Sequence, residues 1–148
     1  MRKKGSTFAL AESRDKDLLR VYREIISKQL DLYGRITITG LMEKVVNSPA
    51  SRYWVSSERA CSIILKIDKG ETLSQMKKNM IIFYRSLYAE FCTYKNTHPG
   101  MPAKHIIEII IQQPAPCFVV SPRVAGSIIY RMKIKCQREN IQRLKKHS

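Results

Sequence analysis

Val45-Val46-Asn47-Ser48-Pro49-Ala50-Ser51-Arg52-Tyr53-Trp54-Val55-Ser56-Ser57-Glu58-Arg59-Ala60-Cys61-Ser62-Ile63-Ile64 has a counterpart 65 residues later, at Ile110-Ile111-Gln112-Gln113-Pro114-Ala115-Pro116-Cys117-Phe118-Val119-Val120-Ser121-Pro122-Arg123-Val124-Ala125-Gly126-Ser127-Ile128-Ile129. Aligned without gaps from Leu41 to Ile67 against Ile106 to Met132, nine of 27 positions are identical. Chance alone would give about two, so the pattern reads as a tandem duplication of one supersecondary unit. Much of the remainder keeps its physical character, as in Val46/Ile111, Tyr53/Phe118 and Lys66/Arg131.

Both copies predict the same local course. Pro49 and Pro114 stop a helix, because the proline ring disfavours helical geometry in the residue before it and supplies no amide donor. The aromatic and β-branched runs Arg52–Val55 and Cys117–Val120 suit an extended connector. Ser56 and Ser121 then stand at the N-cap, where a serine oxygen accepts from an unpaired amide one turn in. Pro122 fits the first helical position, where its missing donor costs nothing. Ala60, Ile63, Ile64 and Ile67 follow at i, i+3, i+4, i+7, matched by Ala125, Ile128, Ile129 and Met132, so each copy closes with an amphipathic helix.

Outward from these copies the chain reads as helices throughout. Residues 1–13 open with Arg2-Lys3-Lys4-Gly5-Ser6-Thr7 and lack periodicity, which predicts a flexible basic arm. A first helix is expected from Ser13–Asp15 to Gly34, and a second over Leu41–Val46 capped by Thr37 or Thr39. The capped helix from Ser56 stops at Asp68-Lys69-Gly70. These make a first trihelical unit, 14–70. The second unit, 71–132, starts with a long helix from Leu73 or Ser74, continues with Ala103–Gln113, and ends with the helix capped by Ser121. Tyr84-Arg85 corresponds to Tyr22-Arg23 at an offset of 62, so three extra residues fall in the loop Thr97–Pro102. Nothing stops the last helix, which predicts a basic helical extension over 133–148. From Arg131 to Ser148, seven bases face only Glu139, a balance of +6. The expected fold is all-α: two tandem trihelical units related by internal duplication, with that extension.

At 148 residues the chain is long enough to bury roughly 70% of its extended surface. Its 27 Lys and Arg against 12 Asp and Glu give a formal charge of +15. Such an excess repels itself unless a polyanion neutralises it, which puts nucleic acid first among partner classes. Cys61, Cys92, Cys117 and Cys136 are widely spaced, and no amino-terminal signal peptide is visible, so free thiols in a reducing cytoplasm are expected. Cys92, His98, His105 and Cys117 match no common zinc spacing, and no metal or other cofactor is expected. The longest apolar run, Ile106–Ile111, is interrupted by Glu108 and is too short to span a bilayer.

Three helices with a connector before the third resemble, in outline, the trihelical helix-turn-helix class. The link here holds seven residues, Pro49 to Val55, where the usual turn has three or four. The resemblance implies that the capped helices face nucleic acid. Their open faces offer Arg59, Ser62 and Lys66 in the first copy and Arg123, Ser127 and Arg131 in the second, continued by Lys133, Lys135 and Arg138. Lys and Arg there can meet phosphate or a guanine edge, and serine can meet phosphate. The same positions equally suit the solvated side of an amphipathic helix.

Tyr22-Arg23 and Tyr84-Arg85 read as core tyrosines beside solvated arginines, because the clustered arginines and histidine of a strand-transfer site are missing. Trp54 reads as an apolar plug between helices, its counterpart being Val119. With no Gly-rich phosphate loop, no paired acids beside a histidine and no Ser/His/Asp grouping, an enzyme is not expected. The expected function is non-enzymatic nucleic-acid binding, to DNA ahead of RNA, with no membrane partner. The rival reading is a structural or assembly component of a ribonucleoprotein or virion that docks on packaged nucleic acid or an acidic protein, with Ile106–Ile111 touching a protein partner.

Overall fold

The computed structural model describes residues 2–147, and side chains over 9–146. The fold is all-α, with six helices and no strand among the described residues: α1 Arg2–Tyr33, α2 Leu41–Val46, α3 Ser57–Asp68, α4 Lys78–Thr97, α5 Ala103–Ile110 and α6 Pro122–His147.

Two starts differ from expectation. The backbone of residues 2–13, read as an unstructured arm, forms the first turns of α1. Ala9, Leu10, Ala11 and Glu12 are strong helix formers with no proline near them, and their propensity outweighs Gly5; the side chains of the Arg2–Thr7 arm lie outside the described residues. Asp15 and Asp17 therefore sit inside the helix, where Asp15 pairs with Arg14 at 3.0 Å and Asp17 with Arg20 at 2.8 Å. The long helix α4 starts at Lys78, not at Leu73 or Ser74. Leu73 is buried ahead of it, in a turn closed by Met76 N–H donating to the Leu73 carbonyl at 3.0 Å.

Glycines mark the expected breaks. Gly34 takes φ +68° as its amide closes α1 onto the Leu30 carbonyl at 2.9 Å, and Gly70 takes φ +86° just beyond α3. The residue ahead of α2 is Gly40, also at positive φ, rather than Thr37 or Thr39 acting as a cap; the Thr37 amide instead donates to Gln29 Oε1 at 2.9 Å.

The chain gathers into two compact units whose composition differs from the sequence units 14–70 and 71–132. One joins the chain up to Ala11 with Asn47–Val119, and the other joins Glu12–Val46 with the chain from Val120 onward. In the first, α3 packs with α4 and α5; in the second, α6 packs with α2. α3 thus lies with the two helices that follow it in the chain, and α6 with α2. The connector between α2 and α3, Pro49 to Val55, has seven residues against the three or four of the usual turn, and it bends at Ser51, Arg52 and Val55, where the Val55 amide donates to the Tyr53 carbonyl at 2.9 Å.

The connectors meet inside the first unit. Ala50 donates to the Ala115 carbonyl at 3.0 Å and Ala115 to that of Ala50 at 3.1 Å, an isolated antiparallel bridge between two positions that align in the sequence copies. Tyr53 N–H donates to the Ile111 carbonyl at 3.0 Å, fixing the first connector to the end of α5. Around this bridge lies an aromatic core: Phe83 meets Tyr53 edge-on at 5.1 Å and Tyr84 at 5.0 Å between ring centroids. The Tyr53 hydroxyl shares a hydrogen bond of 2.6 Å with Ser86 Oγ, so its one polar atom is satisfied. Ile106, Ile107, Ile110 and Ile111 fill the same core. Their burial corrects the idea that this run touches a protein partner: the amphipathic period of α5 turns them inward.

The second unit buries Leu18, Leu19 and Val21 of α1, Leu41, Val45 and Val46 of α2, and Ala125, Ile128 and Ile129 of α6. Where α6 packs on α2, a methyl group built at Gly126 would lie 3.6 Å from Met42 Cγ, an ordinary contact distance, so the approach of the two helices does not itself demand glycine.

Candidate nucleic-acid interface

The capped helices begin alike. Ser56 Oγ accepts from the Arg59 amide at 3.2 Å and Ser121 Oγ from the Val124 amide at 3.1 Å, each three residues into its helix. The shared cap sets the rotation of each helix: Ala60, Ile63 and Ile64, and likewise Ala125, Ile128 and Ile129, turn inward, and the opposite sides face solvent.

On α3 the exposed side carries Arg59, Ser62 and Lys66. Burial raises the Tyr84 phenol above its ordinary range, and the nearby Arg59 guanidinium partly offsets the rise. Ser62 and Lys66 lie one turn apart along the open face.

On α6 the exposed residues Arg123, Ser127 and Arg131 follow one another at intervals of four, about 6 Å of helix each, and Arg138 continues the row. Lys133 and Lys135, expected with them, project elsewhere. Lys133 Nζ lies 5.4 Å from the centre of the Tyr22 ring and donates to its hydroxyl at 3.5 Å. Lys135 lines a groove of about 620 Å³ between α1 and α6, together with Lys16, Arg20, Arg23, Cys136 and Glu139. The helical period separates Lys133, about 160° from Arg131 around the axis; Lys135, only about 40° away and next in the same row, is set apart by the groove that it lines.

The α1 side of that groove adds cations beyond those expected from the sequence. Lys16, Arg20 and Arg23 recur at i, i+4, i+7, a stripe visible in the sequence once α1 is drawn as one long helix. Arg20 is held by Asp17 and by Glu24 at 2.9 Å, and Arg23 approaches Cys136 Sγ at 4.0 Å.

Tyr84 is buried and Tyr22 half-buried, with Arg23 and Arg85 exposed. Trp54 is half-buried under the Arg52 guanidinium, 4.9 Å from the ring centre, and burial draws that guanidinium below its usual range. Cys117 is buried with its thiol directed to the Asn79 carbonyl at 3.4 Å, and all four cysteines are free thiols. Among the described residues no group of three or more His, Cys, Asp or Glu could hold a metal ion, and no helix is long and apolar enough to cross a membrane.

Comparison with protein-family models, with curated proteins and with solved structures finds no match to this chain.

Proposed function

We propose that the protein is a non-enzymatic nucleic-acid-binding protein that meets DNA through the open faces of α3 and α6. It consists of two helix-turn-helix-like trihelical units from one internal duplication, which have exchanged their third helices, and α6 continues as a basic tail. One observation carries the reading: the aligned pairs Ser62/Ser127 and Lys66/Arg131 are all exposed, each base one turn beyond its serine, on helices whose caps match. A serine hydroxyl and a cation at that spacing can each take a phosphate oxygen, and the arginine can also read a guanine edge. The surplus of +15 supplies the long-range attraction. Two weak faces on one chain bind more tightly than either alone, because the second engages at raised effective concentration. Arg59, Arg123 and Arg138 extend the two faces; Lys133 and Lys135 contribute charge from the flanks of α6. A reducing cytoplasm is the proposed setting.

The test is Lys66→Ala and Arg131→Ala, singly and together, against short duplex DNA. Each should weaken binding and lower the salt slope by about one, Lys66→Ala uniformly across sequences, leaving the melting temperature unchanged. Undiminished binding by the double variant would assign both residues to idle surface.

A further inference from the structure

The solvent side of α6 carries, besides its bases, a second pattern. Tyr130, Ile134, Gln137, Ile141 and Leu144 recur at alternating intervals of four and three, the spacing of a coiled-coil seam. Tyr130 is 67% exposed, Ile141 53% and Leu144 71%, while Ile134 between them is half-buried. They lie across the helix from Ala125, Ile128 and Ile129, which are buried, and from Met132 and Cys136, which line the groove with α1. We propose that this seam is a docking surface for an amphipathic helix of a partner protein whose flanks are acidic.

The flanks of the seam specify the occupant. In heptad terms Ile134 and Ile141 stand at a, and Tyr130, Gln137 and Leu144 at d. The e positions are then Arg131, Arg138 and Lys145, all exposed bases, while the g side holds Lys133 and Asn140. A second copy of α6 would set cation against cation whether parallel or antiparallel, which disfavours self-pairing. Glutamate or aspartate at the partner's facing positions turns each of those repulsions into an ion pair. The seam is also narrow, about one apolar residue per turn. That suits knobs-into-holes packing with one helix, whereas insertion into a lipid surface calls for a broad apolar face. Gln137 breaks the apolar row once, as a single polar residue does where register is to be fixed.

This inference does not depend on the nucleic-acid reading, although Arg131 and Arg138 serve both, so the two ligands should compete. The probe is a synthetic peptide of about 28 residues, four heptads, with Leu at a and d and Glu at e and g. Its own flanks repel, which keeps it monomeric, and a Lys-flanked version serves as control. Fluorescence anisotropy with the full chain at physiological salt should show binding of the Glu peptide and none of the Lys peptide. Replacing the two exposed anchors, Ile141→Gln with Leu144→Gln, leaves every charge in place and should weaken that binding about tenfold or more, while duplex DNA is still retained. Arg138→Glu with Lys145→Glu should transfer preference to the Lys peptide. Equal binding of the Glu peptide by the glutamine variant would reduce the effect to attraction of any polyanion and overturn the proposal. So would failure of wild-type protein to bind the Glu peptide, including the case in which vesicles of phosphatidylserine and phosphatidylcholine capture the protein instead. Loss of DNA binding with peptide binding intact would sink only the function proposed above.

Discussion

Replacing Ser56 and Ser121 by alanine, one at a time, asks whether the two capped helices are energetically alike. Each serine oxygen accepts one bond, from the Arg59 amide at 3.2 Å and the Val124 amide at 3.1 Å. Alanine leaves that amide with water as its only recourse, and an N-cap lost in this way costs about 1 kcal/mol, within a range of about 0.5–2. Pro122 removes one donor from the start of α6 but not the one that Ser121 satisfies, so the two costs should agree within about 0.5 kcal/mol. Glycine at either site should cost only a few tenths, because it keeps the extended cap geometry and lets water reach the amide. Urea unfolding followed by circular dichroism gives the differences directly, with Ser57→Ala as a control just inside α3. The two substitutions share no partner and should add. Costs below about 0.3 kcal/mol at either serine, or a Ser57→Ala effect as large as that of Ser56→Ala, would refute the assignment of these residues as caps.

Gly126→Ala should stabilise the protein by about 0.5–1 kcal/mol, since the added methyl meets Met42 at ordinary contact distance and glycine is a poor helix interior residue; a fall in urea midpoint would mean that α6 and α2 lie closer than described. A double-mutant cycle of Tyr53→Phe and Ser86→Ala should return a coupling of about 1 kcal/mol for their 2.6 Å bond, and a coupling of zero would dissociate the connector from α4. Burial raises the Cys117 thiol, so the native state favours the protonated form. Stability from this group is therefore whole below about pH 8.5, where the unfolded thiol titrates, and is lost as pH climbs toward the raised native value. Cys117→Ala should flatten part of the decline measured between pH 7.5 and 10, before the buried phenols of Tyr53 and Tyr84 contribute; an unchanged decline would assign it elsewhere. In the folded protein a thiol reagent should label Cys61, Cys92 and Cys136 ahead of Cys117.

Local signals carried the helix boundaries that depend on local chemistry. Pro49 and Pro114 end α2 and α5 within a few residues, Ser56 and Ser121 cap where a serine oxygen was needed, and Gly34 and Gly70 take the positive φ that closes a helix. The start of α1 differs from the sequence expectation because the helix propensity of Ala9, Leu10, Ala11 and Glu12 carries the backbone through a stretch that shows no apolar periodicity. Which helix packs on which was not legible at all. Self-similarity says what a segment resembles and not where it packs, and the structure sets α3 with α4 and α5 while α6 lies with α2. The inward turn of Ile106–Ile111 was equally hidden, because a short apolar run suits a core and a partner surface alike. At the candidate site, spacing alone placed Ser127 and Arg131 on one face. Spacing also turns Lys133 away from it, but separating Lys135 required knowing where the α1 groove lies.

The central claim, that the cations of α3 and α6 meet an anionic polymer, is tested most directly by titrating short duplex DNA binding against salt. With six to ten phosphate contacts the affinity should fall about 10³- to 10⁵-fold between 50 and 200 mM salt, linearly in the logarithms. Binding that is absent at low salt, or that persists with a slope near zero, would contradict it.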